Sequence, residues 1–274
     1  MEEVVMRSLL FVLFILVCPV VEAVAFDHGP WDSLLQEHVR VYQGGQETKV
    51  DYAAMARERP LLSAYLDQLS QVSRGQFDSW TKAGQLAFLI NAYNAWTVEL
   101  ILSRYSNLQS IKELGSFFQS PWKKKFFSLL GQKRSLDDLE HGLIRGSGRY
   151  GDPRIHFALN CASIGCPALK DHAYQKDRLE GQLQEATTMF LADRRRNRLS
   201  GGKLQVSSIF KWYGQDFGAG WRGARTLSQF LALYSKSLGL SEAERHELLA
   251  DRIEIDFLDY DWKLNGVDSD SSED

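Results

Sequence analysis

Gln85-Leu-Ala-Phe-Leu-Ile-Asn-Ala-Tyr-Asn-Ala-Trp-Thr-Val-Glu-Leu-Ile-Leu102 is apolar on nearly every side when wound as a helix. A helix at a protein surface carries one apolar stripe, whereas one that is apolar all round is enclosed by the rest of the fold. The stretch therefore predicts a central buried helix with the other elements packed around it. Asn91 and Asn94 lie within it three positions apart, on one face. Two amides in such a place either hold a ligand or satisfy the backbone of a loop laid against the helix.

Upstream, Trp31, Leu34, Leu35, His38 and Val39 recur at helical spacing and predict a helix over Trp31 to Val41. Val50-Asp51-Tyr52 opens a second helical region with Leu61, Leu62, Tyr65, Leu66 and Leu69 on one stripe. Downstream, Lys125 to Ser135 reads as a small hairpin around Gly131-Gln132. Ser135-Leu-Asp-Asp138 resembles a capping box that opens a helix through Ile144. Arg154 to Leu159 has the length and apolar content of a strand, with His156 on one face and Ile155 and Phe157 on the other. Helices are expected over Asp177–Asn197, Thr226–Leu238 and Ser241–Ala250, the last with a Ser241/Glu244 capping box. A hairpin is expected around Gly201-Gly202 and a final strand over Arg252–Phe257. Helices outnumber short, scattered strands, and no repeat or linker divides the chain. The expected fold is a predominantly helical, single α+β domain with a buried central helix and short strands and hairpins.

The first 25 residues read differently. Ser8 to Val21 is an apolar stretch of roughly 14 residues, short of the about 20 that a membrane-spanning helix needs. Ala23-Val24-Ala25 follows it with small residues at a cleavage position, so residues 1–25 are expected to be a secretory signal. Met-Arg-Ser-Leu-Leu from Met6 is a more ordinary start for such a signal than Met1. The mature chain is then expected to be periplasmic or secreted, with a domain over 26–265 and a disordered acidic tail over 266–274. A formal charge of −3 gives no reason to expect nucleic acid or anionic membrane as a partner. No later segment is apolar enough to span a bilayer.

The chemistry concentrates in Asp152-Pro-Arg-Ile-His156-Phe-Ala-Leu-Asn160-Cys161-Ala-Ser-Ile-Gly-Cys166-Pro167. Only Cys161 and Cys166 remain once the signal is removed, and two thiols in an oxidising compartment pair by default. The other reading makes one of them a nucleophile, activated by His156 or, for Cys166, by the N-terminus of a helix beginning at Pro167. Glu140, on the preceding helix with His141 and Arg145, is a candidate general base or a salt-bridge partner of Arg145 or Arg154. The candidate catalytic set is Cys161, His156, Glu140 and Cys166. The candidate ligand-binding set is Asn91, Asn94, His141, Arg145 and Asn160. His156, Cys161, Cys166 and His172 match the spacing of no common zinc site, so no metal is expected. No phosphate-binding loop, nucleophile elbow or dinucleotide fingerprint is present, and no cofactor is expected. Lys123–Lys125 and Arg194–Arg196 read as solvated faces, and Trp212, Tyr213, Phe217 and Trp221 as core or cleft wall.

Five ordered motifs carry a resemblance. They are Ala87-Phe-Leu-Ile-Asn91-Ala-Tyr-Asn94-Ala, Leu136-Asp-Asp-Leu-Glu-His141-x-x-x-Arg145, His156-Phe-Ala-Leu-Asn-Cys161-x-x-x-x-Cys166-Pro167, Trp212-Tyr213-x-x-Asp216-Phe217 and Tyr260-Asp-Trp262-x-Leu-Asn265. Together, from about Asp27 to Asn265, they resemble the domain-of-unknown-function 547 family, in a bacterial exported form. The resemblance implies a domain and a polar site, without an established reaction. The order of a buried helix and then a strand-borne histidine is also similar to papain-like and transglutaminase-like thiol enzymes. Those carry their nucleophile at the helix start, where this chain has Gly84-Gln85-Leu86. Three readings follow. The first is an envelope module binding an unidentified small molecule, peptide or protein. The second is a Cys/His hydrolase or transferase of peptide-like substrates, and the third a thiol–disulfide redox protein.

Overall fold

The computed structural model describes residues 25–116 and 120–267. The expected signal up to Val24 and the acidic tail from residue 268 lie outside the described residues. The fold is α+β and predominantly helical, as the hydrophobic patterning requires. Its centre is helix α5, Lys82–Leu102, capped by the Thr81 hydroxyl and buried along almost its whole length. Helices α1 (Gly29–His38), α2 (Tyr52–Arg57), α3 (Arg59–Gln71) and α4 (Arg74–Ser79) pack about it. Their core side chains include Trp31, Tyr52, Tyr65 and Phe77, all enclosed. Among the described residues, no helix is long and apolar enough to cross a membrane.

Helix α1 stops at His38, short of the expected Val41, because Val39–Tyr42 is strand β1. It pairs antiparallel with β2 (Glu47–Val50) across a Gln43-Gly44-Gly45 turn. Val39, Val41 and Tyr42 suit a pleated surface better than a helix, and the two glycines supply the reversal. The expected hairpin around Gly131 is present as β3 (Phe127–Leu129) and β4 (Gln132–Arg134).

A second apolar cluster occupies the C-terminal half. Phe157, Phe190, Phe210, Phe217 and Phe230 meet there ring to ring. It is enclosed by α6 (Leu179–Ala192), α7 (Ile209–Trp212), α8 (Gly214–Phe217), α9 (Leu227–Leu233), α10 (Ser235–Leu238) and α11 (Glu242–Leu249). A three-stranded sheet completes it: β5 (Arg198–Ser200) and β6 (Lys203–Ser207) form the expected hairpin, and β7 (Glu254–Leu258) lies parallel to β6. The Ser241/Glu244 capping box opens α11 as expected. The helix expected over Thr226–Leu238 breaks at Tyr234 into α9 and α10.

Helix α6 ends at Ala192 rather than Asn197, and the arginines after it are a staple rather than a solvated face. Arg194 donates to the Leu191, Asn197 and Ser237 carbonyls, and Arg195 bridges Asp193 and Glu47. Arg196 reaches the Gln46 and Ile164 carbonyls. The C-terminal strand of chain also ties the halves together. Asn265 accepts from the Tyr52 hydroxyl and its backbone pairs with Val50 and Ala162. Gly266 and Val267 continue that pairing along Val50, so ordered chain extends past residue 265.

His28 is buried beside Phe26 and Phe88 with its Nδ1 2.8 Å from the Tyr65 hydroxyl. Burial pushes its pKa down to about 4 against the opposing pull of Asp27 and Asp32. The unfolded chain therefore takes up a proton near pH 6.5 that the folded chain refuses until about pH 4. Stability at this site is full above pH 6.5 and declines as pH falls through that window. In urea unfolding, the advantage of the native protein over His28→Asn is expected to shrink by about 3 kcal/mol between pH 7 and pH 4. A pH-independent difference would refute this account of His28.

Candidate functional site

The residues that carry the chemistry come together where the two apolar clusters meet. Asp152 opens this region: its carboxylate caps the Arg154 amide, and Pro153 begins a 3₁₀ turn over Pro153–Phe157. That turn replaces the strand expected here, because an Asp-Pro pair presets helical geometry at its first residue. Ile155 enters the first cluster and Phe157 the second, while His156 faces the space between. With His156 on a turn, the chain order shared with papain-like enzymes has no strand-borne histidine behind it.

The segment Asp138–Arg145 is a π-helix, preceded by the expected reciprocal capping of Ser135 and Asp138. Its wide i→i+5 spacing appears in the bond from the Gly146 amide to the His141 carbonyl. A Cβ on Gly146 would collide with that carbonyl oxygen, so glycine is required for this ending. The π-turn sets Glu140 inward and Arg145 toward α8. Glu140 makes no pair with Arg145 or Arg154. The Tyr93 and Tyr213 phenols instead lie near its carboxylate, and burial together with that negative charge pushes both of them up, keeping them protonated.

Arg145 forms a fork on Asp216, through Nε at 2.6 Å and Nη2 at 3.0 Å, and its Nη1 donates to His141 Nδ1 at 2.6 Å. His156 Nε2 lies 2.8 Å from Asp216 Oδ2, and its ring stacks on Tyr213 at 3.9 Å. Burial on its own would raise the Asp216 carboxyl, but the bonds and charges of His156 and Arg145 overcome it and hold it well below the ordinary range. An ionised carboxylate only accepts, so His156 carries its proton on Nε2 and keeps Nδ1 as its basic nitrogen. Burial also lowers the His156 pKa, against the pull of Asp216 and Glu140.

Cys161 and Cys166 are joined as a disulfide with their Cα atoms 6.0 Å apart. Both line the same cavity as Glu140 and His156. A disulfide sulfur has no proton, so the Tyr260 hydroxyl donates to Cys161 Sγ at 3.2 Å, while the Ser163 hydroxyl beside it donates to Tyr260 at 3.1 Å. No helix begins at Pro167, because the turn pairs outward instead. Ile164 and Gly165 donate to the Lys263 and Asp261 carbonyls, and the Tyr260 ring lies so close to Gly165 that a Cβ there would sit 2.9 Å from it. The cavity has a volume of about 250 Å³. Trp122, Trp212, Tyr260 and Trp262 form its aromatic wall.

Asn91, Asn94 and Asn160 stand outside this lining. Asn94 accepts from the Asn160 amide at 2.9 Å and donates to the Ala158 carbonyl at 2.9 Å. Asn91 makes the same two-bond clamp on Tyr174, at 2.9 and 2.8 Å. Asn160 holds the Pro167 carbonyl and the Ala162 amide. The three amides shape the loop that presents His156 and the disulfide. His141 lines the cavity, while Arg145 stands behind it on Asp216. His172 lies apart, beside Asp32 and Asp171. Trp212 and Tyr213 line the cavity as the expected cleft wall, whereas Tyr93, Asp216, Tyr260 and Trp262 are site residues that residue-type reasoning did not single out. Their signal was present in the motifs ending at Asn94, Phe217 and Asn265.

A family model described as "Protein of unknown function, DUF547" matches residues 77–191. The matched segment spans α5, the π-helix, the 3₁₀ turn and α6, so it contains Tyr93, Glu140, His141, His156 and both cysteines. Tyr213, Asp216, Tyr260 and Trp262 lie beyond it. No curated protein and no solved structure matches the chain.

Two substitutions separate frame from site. Asn94→Ala leaves a buried amide and a buried carbonyl unpaired, and a loss of about 3 kcal/mol in chemical denaturation is expected. Asp216→Asn removes a partly exposed ion pair, with an expected cost of about 1–2 kcal/mol. That cost is present above about pH 4, where the unfolded carboxyl ionises, and disappears as pH falls below it. The same change should lower the His156 pKa further in an NMR titration. An unchanged ring titration would mean that the Asp216 bond does not govern this histidine.

Proposed function

We propose that this chain is an exported module that binds a small ligand in the cleft walled by Glu140, His156 and the tryptophans, with the disulfide as part of its wall. The observation that carries this reading is the Cys161–Cys166 bond itself. A thiol enzyme needs a free thiolate, and both sulfurs facing the cleft are occupied by each other. Export is supported by the same bond, which persists in oxidising compartments, and by the apolar segment before Ala23-Val24-Ala25. A concave site with an apolar wall and a few convergent polar groups is what small-molecule recognition uses. The volume is a little below the roughly 300 Å³ at which drug-sized sites begin, which fits a small ligand or one side group of a larger one.

A second reading keeps support from one feature: the disulfide lines the cleft rather than the core. An incoming thiolate that attacked one sulfur would form a mixed disulfide and release the other as thiolate. Its reduction potential distinguishes the two roles, because structural bridges fall below about −300 mV and catalytic ones above.

The deciding experiment is the mass of purified, exported protein after alkylation, with and without prior reduction. Two blocked cysteines released only by reductant are expected. Two thiols alkylated without reduction would overturn the binding-module reading in favour of the Cys/His enzyme.

A further inference from the structure

The charges around the cleft are unevenly compensated. Asp216 is neutralised by the Arg145 fork. Glu140 forms no direct ion pair, Arg145 acting on it only at longer range, and Asp137 adds a second carboxylate to the lining. Among the described residues, no lysine or arginine lines the cavity. An anionic ligand would meet these carboxylates in a partly desolvated space, where repulsion is strong. A neutral ligand would leave Glu140 without a direct ion-pair partner. The walls point the same way. Trp212 and Trp262 stack at 5.7 Å, Tyr260 leans on Trp262 at 4.5 Å, and Trp122 meets Trp262 edge-on at 5.8 Å. Ring faces of this kind attract cations, tryptophan most strongly. The wall already holds one: the Lys112 ammonium lies 3.8 Å from the centre of the Trp262 ring.

The geometry points to an alkylammonium ion as the ligand of this cleft, its charge set against Glu140 and its carbon body against Trp122 and Trp212, with Trp262, already engaged by Lys112 and stacked on Trp212, behind them. The assignment rests on the ligand-binding reading above and specifies its chemistry. Tyr213 takes no part as a ring face, since His156 stacks on it and the Arg145 guanidinium lies 4.8 Å from its centre. Its contribution, like that of Tyr93, is a phenol placed near the Glu140 carboxylate. Trp212 is 47% exposed and forms the open side of the cage, where a ligand enters.

The test is calorimetric titration of the disulfide-bonded mature chain with choline and butylammonium. The control is the neutral isostere of choline, in which carbon replaces the quaternary nitrogen, and a neutral disaccharide serves as the competing class. At least one ammonium ion is expected to bind about tenfold or more tightly than the neutral isostere. Glu140→Gln should abolish that preference, and Trp212→Ala should weaken the ammonium ion about tenfold. Trp212 is exposed, so its replacement leaves the fold intact if the Glu140 variant does not fold. Absence of ammonium binding, equal binding of the neutral isostere, or ammonium affinity unchanged in both variants would each overturn the assignment. So would tighter binding of the disaccharide, but if Trp212→Ala abolished that binding the cleft would remain a ligand site of another class. The thiol measurement tests the underlying reading independently of any ammonium result.

Discussion

The loop from Asp152 to Arg178 contains one short 3₁₀ turn and otherwise no regular structure, yet most of it is buried. A buried backbone without a ladder of its own needs partners from elsewhere, and each unpaired group costs as much as a lost hydrogen bond. Asn91 and Asn94 are those partners. Each amide gives a donor and an acceptor to one stretch of loop, in the manner of a strand neighbour, from a helix that cannot otherwise offer polar groups sideways. Gln182 repeats the device from α6, gripping the Ala173 carbonyl and the Gln175 amide. His156 and the disulfide have defined positions because these clamps hold the loop that carries them.

The loop also sits at the seam of two apolar clusters, and the seam explains why a cleft exists. Ile155 and Phe157 leave one turn in opposite directions, so the residue between them belongs to neither core. A polar side chain at that position needs a polar neighbour, which α8 supplies as Asp216. The aspartate in turn needs a cation, and Arg145 supplies it from a helix widened by one residue per turn. Each of these groups is stabilised only when the next is present, so the network couples the two halves of the chain.

Much of the architecture was legible in the residues. The all-round apolar pattern of Gln85–Leu102 identified the buried helix, and the turns at Gly131-Gln132 and Gly201-Gly202 marked two hairpins. What misled was short-range ambiguity. Arg154–Leu159 is apolar and brief, which suits a strand or a turn equally, and only the Asp152-Pro153 start distinguished them. Val39–Tyr42 continued a helical spacing by accident, while its residue types favoured β structure. At the site, candidates were chosen by reactive side chains. That approach found Glu140, His156 and both cysteines in one cavity, but it placed the loop-holding asparagines with them. It missed Asp216, whose partners are 71 and 60 residues away in sequence. No local pattern reports a long-range ion pair or an aromatic wall assembled from three separate segments.

The two carboxylates at the cleft show how environment assigns a role. Asp216 accepts three bonds from groups that are cationic or tightly held, which fixes its charge and removes it from chemistry with a ligand. Glu140 has the Tyr93 and Tyr213 phenols nearby and Arg145 only at longer range, so no direct ion pair holds its charge. A carboxylate so placed lacks a direct ion-pair partner inside a partly apolar wall, a state that folding alone does not favour. Natural structures retain such a group where something outside the chain completes it. On the proposed ligand-binding reading, the aromatic surfaces beside Glu140 favour a ligand with a positive charge and a body that rings can hold.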